Sequence, residues 1–354
     1  MLAKSVPDIP TGDFAYEPKW DGFRSIVFRD GNEVEIGSRN ERPMTRYFPE
    51  VVEAIMVNLP DRCVVDGEIV VPDPSGRRLE FETLQLRIHP AASRVKLLAR
   101  QTPAHFVAFD LLALDDRDLM GVRFSERRRV LEEALKGAGP PIHLTPATTD
   151  RRLAEEWFDT FEGAGLDGVI AKPLAGTYQP DKRAMMKVKH VRTAECVVAG
   201  YRVHKSEKRA IGSLLLGLYD EHGDLANVGV VGAFPMEQRR KLLRELESLV
   251  TTFEDHPWNW GEETAGVRTP RHSEFSRWNV GKDLSFVPLQ PRLVVEVRYD
   301  HMEGNRFRHT AQFICWRPDR DPRSCTYEQI EEPVRFDLAE VLAPPGPGHP
   351  PRSR

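Results

Sequence analysis

Residues 105–114 read HFVAFDLLAL, a continuous apolar run broken only by Asp110. Such a run reads as a strand buried on both faces, which ties the surrounding chain to a covered sheet. The neighbouring segments carry strand patterns too. Alternation in Arg24–Phe28 and Glu33–Gly37 flanks the hairpin turn Asp30-Gly31-Asn32. Cys63–Val71 is β-branched around Asp66-Gly67-Glu68, and Leu166–Lys172 and Ala184–Lys189 read as two further strands. Helical spacing covers Pro49–Leu59, with Val51, Val52, Ile55 and Leu59 on one face. Ser125 is expected to cap a helix that runs to Leu135 and stops at Gly137. Asp150 is expected to cap another, in which Leu153, Trp157, Phe158 and Phe161 pack into a core. Strands and helices do not alternate as βαβ units, so the class is α+β rather than a doubly wound parallel sheet.

A second β-rich block begins near Glu195. Its expected strands are Cys196–Val203, Ser213–Tyr219, Leu225–Val231, Arg292–Tyr299 and Arg306–Trp316. Glu237–Val250 is an amphipathic helix carrying Leu242, Leu243, Leu246 and Leu249. Five strands and one helix fit a small Greek-key barrel of OB type, though periodicity alone leaves other small barrels open. The expected division is residues 1–190, then 191–340 after a polar hinge at His190–Thr193, then a Pro- and Gly-rich disordered tail at 341–354.

The 354 residues suffice for two cores, and 40% hydrophobic with 29% charged residues is an ordinary globular composition. No apolar run is long enough to cross a bilayer, and MLAKSVPDIP lacks the apolar core of a secretory signal. Cys63, Cys196, Cys315 and Cys325 form no CxxC pair and read as reduced thiols. A net charge of −4 argues against a histone-like binder; any polyanion site has to be a local basic surface. One candidate is the loop carrying Arg202, His204, Lys205, Lys208 and Arg209, for which a merely solvated loop is an equal alternative. Trp258 and Trp260 suggest no role.

The chemistry-bearing pattern is EPKWDGFR, with Lys19, Asp21, Gly22 and Arg24 spaced as Lys-x-Asp-Gly-x-Arg. A free lysine, with a pKa of roughly 10.4, is mostly protonated and a poor nucleophile. Desolvation, here offered by Trp20 and Phe23, or a nearby cation disfavours the ammonium and activates the amine. The pattern resembles motif I of the covalent nucleotidyltransferases, which comprise DNA ligases, RNA ligases and capping enzymes. In that superfamily the lysine takes up a nucleoside monophosphate through a phosphoramide bond. The companion motifs follow in order. Ser38-Arg39-Asn40 is similar to the arginine motif after the first hairpin, and Arg39 is thereby implied to hold a phosphate. Asp66-Gly67-Glu68 resembles the element whose glutamate, here Glu68, lies near the ribose and assists metal binding. Phe109-Asp110 resembles motif III, making Phe109 the ring that stacks on the purine. Asp167-Gly168-Val169-Ile170-Ala171-Lys172 resembles motif IV with aspartate where glutamate is usual, so that direct or water-mediated metal coordination by Asp167 stays open.

Lys187-Val188-Lys189 resembles motif V. Alternation along a strand lets Lys187 and Lys189 reach one site, where they would neutralise the α-phosphate. Glu17 matches the position at which ATP-dependent DNA ligases read the adenine amino group, and Arg24 closes the nucleotide motif. Arg306–Asp321 resembles motif VI, with Arg317 and Asp319 as its core, Arg320 where lysine is frequent, and Arg317 acting on the pyrophosphate. Taken one at a time, each match has an ordinary alternative as turn, strand face or core residue; their order behind Lys19 is what carries the resemblance.

The resemblance is to ATP-dependent DNA ligases, nearest the compact bacterial ligase C and ligase D types. It implies an N-terminal adenylyltransferase domain of ATP-grasp-like antiparallel sheets with helices, followed by a C-terminal OB-fold. It also implies ATP carried as AMP on Lys19, Mg²⁺ (or Mn²⁺) at Glu68 and Asp167, and nicked duplex DNA as substrate. Repair proteins are possible partners, and a monomer in the bacterial cytoplasm beside the nucleoid is the expected state, with no membrane association. Motion about the hinge near His190 is expected to let one OB domain serve successive steps. The competing readings are an RNA ligase, a capping-type guanylyltransferase and an inactive nick-binding module. An NAD-dependent ligase is disfavoured because neither its extra N-terminal domain nor a cysteine cluster is visible.

Overall fold

The structure, a computed structural model, describes residues 1–39, 41–254, 256–259, 267–270, 284–330 and 336–342. Asn40, Trp260 and the tail from 343 lie outside these. The chain divides into two compact units, Met1–Lys189 and His190–Glu332, and the described residues 336–342 belong with the first.

In the first unit, two mainly antiparallel sheets carry the fold. The larger runs β4 (Glu33–Ser38), β3 (Phe23–Asp30), β5 (Arg62–Val70), β6 (His105–Leu114), β7 (Arg117–Asp118), with β8 (Ile142–Leu144) added parallel to β6. The smaller runs β1 (Ala3–Ser5), β10 (Met185–Val188), β9 (Val169–Pro173), β2 (Phe14–Pro18). The run HFVAFDLLAL is β6 at its full expected length, with Phe106, Val107, Ala108, Leu111 and Leu112 buried. Gly31, at φ +60°, makes the tight β3–β4 turn. The helix α1 (Pro49–Asn58) begins on a proline and turns Val51, Ala54 and Ile55 into the core.

Helices α2 (Phe81–Leu86) and α3 (Ala92–Gln101) were not anticipated from sequence; each is short and buries few apolar residues, among them Leu84, Val95 and Leu98. The helix α4 (Phe124–Ala134) starts a residue before Ser125, which is not its cap. The first two amides of α4 donate instead to Gly176 and Leu174 carbonyls, so tertiary contacts do the capping. Asp150 does cap α5 (Arg151–Thr160), accepting from the Arg152 amide at 2.9 Å. Trp157 stacks on Phe161, while Phe158 packs into a separate cluster with Tyr16 and Val169.

The second unit is built on a five-stranded antiparallel sheet. Its elements are β11 (Arg192–Val203), β12 (Ile211–Tyr219), β13 (Leu225–Val231), α6 (Met236–Leu246), β14 (Val287–Tyr299), the short hairpin β15 (Met302–Glu303) and β16 (Arg306–Phe307), and β17 (Gln312–Trp316). The expected strand 306–316 is therefore two strands, because the chain leaves one pairing to begin another. β14 starts five residues earlier than Arg292, since Val287 and Pro288 still pair with Tyr201 and Gly200 beyond a bulge. Trp258 is fully buried in this core and donates to the Leu225 carbonyl at 2.7 Å. The end of the chain corrects the boundaries drawn from sequence. Residues 336–340 had been grouped with the second unit and 341–342 with a disordered tail. The helix α7 (Leu338–Leu342) instead packs Leu338 and Val341 against Trp20, Leu79 and Phe161 of the first unit. Five residues with two apolar contacts leave too weak a periodic pattern to read. No helix among the described residues is long and apolar enough to cross a membrane.

Candidate active site

Lys19 lies in the turn that takes the chain from β2 in the smaller sheet to β3 in the larger. Pairing between β2 and β9 continues one step past the strand ends: the Lys19 amide donates to the Gly168 carbonyl and the Asp167 amide donates to the Lys19 carbonyl, both at 2.8 Å. This backbone clasp fixes two segments 148 positions apart. Two glycines permit it. A Cβ on Gly22 would lie 2.1 Å from the Ile69 carbonyl oxygen. Gly168 has φ +103°, and a Cβ there would lie 2.0 Å from the Val188 carbonyl oxygen.

The clasp brings three charged groups onto one oxygen. Asp167 Oδ2 stands 2.6 Å from Lys19 Nζ and 2.8 Å from Lys189 Nζ. Burial opposes ionisation of Asp167, but the two lysines outweigh it and hold the carboxyl below its ordinary range. Glu68, on β5 opposite Arg24, is in the reverse position. Burial pushes its carboxyl up to about 7 although Lys19, Arg24 and the Gly22 amide all favour the charged form. A carboxylate in that state is short of positive charge.

Behind this cluster is a second layer of buried ion pairs. Glu17 on β2 takes Lys172 Nζ at 2.7 Å, and the Lys172 ammonium also donates to the Phe109 carbonyl at 2.8 Å. The Phe109 ring is half-buried, with Lys172 Nζ 4.8 Å and the Arg24 guanidinium 5.9 Å from its centre. Asp110, next to it, is held by both edges of Arg127 at 2.8 and 2.9 Å. Arg24 is committed as well: it grips Asp66 with two nitrogens, at 3.0 and 2.6 Å, and donates to the Tyr178 hydroxyl at 3.2 Å.

The structure thus brings Lys19, Asp167 and Lys189 into direct contact, and Glu68 feels both Lys19 and Arg24. Glu17 and Phe109 meet through Lys172. Lys187 sits on β10 opposite Ile170, two positions before Lys189. Arg39 is exposed in the turn after β4 and takes no part in the ion-pair cluster. Arg317 belongs to the second unit, where Asp319 holds it at 3.0 and 2.7 Å and Glu195 and Glu296 also pair with it. Of the basic loop, Lys205, Lys208 and Arg209 are exposed. Sequence reasoning missed Arg127, Arg128, Tyr178, the buried pairing of Lys172 with Glu17 and the anchoring use of Asp66. The arginines sit in SERRRVLEE, whose charge suggests a solvated helix face, yet Arg127 and Arg128 are buried. The lone apolar Phe124 at its start is the one hint that this face turns inward.

As a metal site, the arrangement offers two carboxylates, Asp167 and Glu68, near Lys19. Among the described residues no group of three or more His, Cys, Asp or Glu side chains is placed to hold an ion. Two carboxylates, one of them the desolvated Glu68, suit Mg²⁺, which keeps several waters and needs few protein ligands. The donor set fits that ion and not a fully protein-enclosed one.

The family model of the ATP dependent DNA ligase domain matches residues 1–189, and that of the ATP dependent DNA ligase C terminal region matches residues 207–320. DNA ligase C of Mycobacterium tuberculosis is 68% identical over 97% of this chain and 96% of its own length. DNA ligase C1 of Mycolicibacterium smegmatis is 51% identical over 97% and 96% respectively. A solved structure from a structure–function study of Lig E DNA ligases covers 89% of this chain and 98% of its own, with a TM-score of 0.56 at 18% identity, a likeness of fold.

Proposed function

Since this chain belongs to the ATP-dependent DNA ligases, we propose that it seals nicks in duplex DNA through a lysyl-adenylate formed on Lys19. The observation that carries the reading is the single Asp167 oxygen shared by Lys19 and Lys189, which joins motifs I, IV and V at one point. In the first step Lys19 releases a proton to solvent and its amine attacks the α-phosphorus of ATP; a P–N bond forms as the bond to the bridging oxygen breaks, and pyrophosphate leaves. Asp167, kept ionised by its two lysines, orients the amine. Lys189 and Lys187 neutralise charge that builds on the α-phosphate. Phe109 stacks on the purine, Glu17 accepts from its amino group, and Arg317 acts on the pyrophosphate. The adenylate then passes to the 5′-phosphate at the nick, and attack by the 3′-hydroxyl on that phosphate closes the strand and releases AMP. Glu68 and Asp167 would hold Mg²⁺ or Mn²⁺, whose contribution is neutralisation of phosphate charge. Arg24 we assign to shaping the nucleotide pocket through Asp66, and Arg39 to a phosphate.

The first unit we read as the adenylyltransferase domain and the second as an OB-fold. Support for the latter is strand order β13-β12-β11-β14-β17, the helix α6 between β13 and β14 among the described residues, and a parallel bridge from Val231 to Ala311 that begins to join the sheet's two ends. The exposed basic loop at 204–209 suits a phosphate backbone. A repair role in the cytoplasm, as a monomer, completes the proposal.

Incubation with α-labelled ATP or GTP and Mg²⁺, after pyrophosphate pretreatment to strip bound AMP, tests it beside Lys19→Ala. Acid-labile label from ATP alone, absent in the variant, is expected, followed by transfer to nicked DNA. Label from GTP would instead favour capping-type chemistry, and no label would favour a nick-binding module.

A further inference from the structure

Glu17 and Arg128 place a buried acceptor beside a buried donor and leave both unsatisfied. Glu17 Oε2 is taken by Lys172 at 2.7 Å, but Oε1 faces Arg128 Nη1 at 3.6 Å, and neither atom has a hydrogen-bond partner. Arg128 is not free to close the gap. Its Nε donates to Glu132 at 2.7 Å and its Nη2 to the Thr145 carbonyl at 2.8 Å. The Thr145 hydroxyl in turn accepts from the Trp20 indole, next to Lys19, at 2.8 Å. A buried donor and acceptor held just out of bonding range are costly, and a native site keeps them where a ligand completes the set.

We propose that Arg128 is a positioning residue for nucleobase selection: it sets positive charge beside Glu17 Oε1 while leaving that oxygen unoccupied for the amino group of adenine. This rests on the assignment of Glu17 to that amino group. Burial pushes the Glu17 carboxyl up, with Asp110 adding to it; Lys172 and Arg128 oppose that rise without cancelling it. The division of labour follows from distance. Lys172 bonds the far oxygen, whereas Arg128 acts through space and blocks no lone pair of the near one. A guanine would offer its 6-carbonyl oxygen to the same carboxylate and be repelled.

The test compares self-nucleotidylation with ATP, GTP and purine riboside triphosphate, which lacks the 6-amino group. The variants are Arg128→Met, Arg128→Lys and Glu17→Gln, and the readout is the ratio of kcat/KM for ATP to that for each analogue. Arg128→Met is expected to lower the preference for ATP about tenfold, with Arg128→Lys restoring part of it. Equal loss on ATP and on purine riboside triphosphate would mean that Arg128 serves only structure and would overturn the proposal. If Glu17→Gln collapses the preference but Arg128→Met does not, the Arg128 assignment alone fails. If Glu17→Gln leaves the preference intact, the Glu17 reading fails and this inference with it. Should Arg128→Met not fold, Glu132→Ala, at a half-exposed position, frees the Nε anchor and is expected to lower the preference about threefold; an unchanged ratio there would also overturn it.

Discussion

The clusters around Lys19 and around Arg317 are both ion-pair networks, but their charge ratios are opposite. In the first unit two lysines share one carboxylate held well ionised, and the neighbouring Glu68 is pushed up to about 7, so cations are in excess near neutral pH. In the second unit Arg317 and Arg320 face Glu195, Glu296 and Asp319, so carboxylates are in excess. The charge excess of the first cluster favours a polyphosphate without rearrangement of its ion pairs. The second has to release carboxylates before its guanidinium engages an anion. They differ in rigidity as well. The Lys19 cluster stands on a backbone clasp enforced by Gly22 and Gly168, whereas the Arg317 guanidinium is placed by carboxylate side chains.

Removing the negative charge from the first cluster is expected to have the largest effect. Asp167→Asn keeps the shape but leaves two lysine amines without their common anion, so Lys19 loses its orientation and the proposed metal site loses a donor. The rate of lysyl-adenylate formation should drop about 100-fold or more, measured by single-turnover labelling. Retention of near-normal rates would show that the shared oxygen is incidental. Gly168→Ala comes next and attacks the clasp itself. A methyl 2.0 Å from the Val188 carbonyl oxygen, at φ +103°, has to push β9 from β10. A loss of about 2–4 kcal/mol in urea unfolding is expected, with slowed adenylylation. A neutral outcome would mean that the first cluster is no more rigidly built than the second.

The contrast between clusters also marks what the sequence made legible. Strands such as β6 and β13, and the boundary residues of motif I, were readable because local pattern and turn chemistry agree there. The meeting of Lys19, Asp167 and Lys189 was readable only as order along the chain; the common oxygen is a consequence of register between β2 and β9, which no local pattern encodes. Glu17 was picked out, but its partner Lys172 was seen only as the end of a motif, and Arg128 was hidden in a charge run on α4. Buried cations cannot be told from solvated ones by residue type. The helix α7 escaped for a different reason: its place depends on packing against residues more than 170 positions earlier, such as Phe161.

The smallest effect is expected from loosening the second cluster. Glu195 pairs with Arg317 and, at 2.5 Å, with Arg320, and its amide is itself held by the Gln329 side chain at 2.7 Å. Glu195→Gln keeps the local hydrogen-bonding size and removes one of three carboxylates. Asp319 still grips Arg317 from two sides, so stability should change by less than about 1 kcal/mol, as for other partly exposed pairs. The guanidinium is then less firmly held by its own unit and freer to meet an anion. If Arg317 acts on the pyrophosphate, the KM for ATP in self-adenylylation should fall about two- to fivefold, while Arg317→Ala should raise it. An unchanged KM in both variants would make this network purely structural, and the excess of carboxylate around Arg317 would then be its function rather than its restraint.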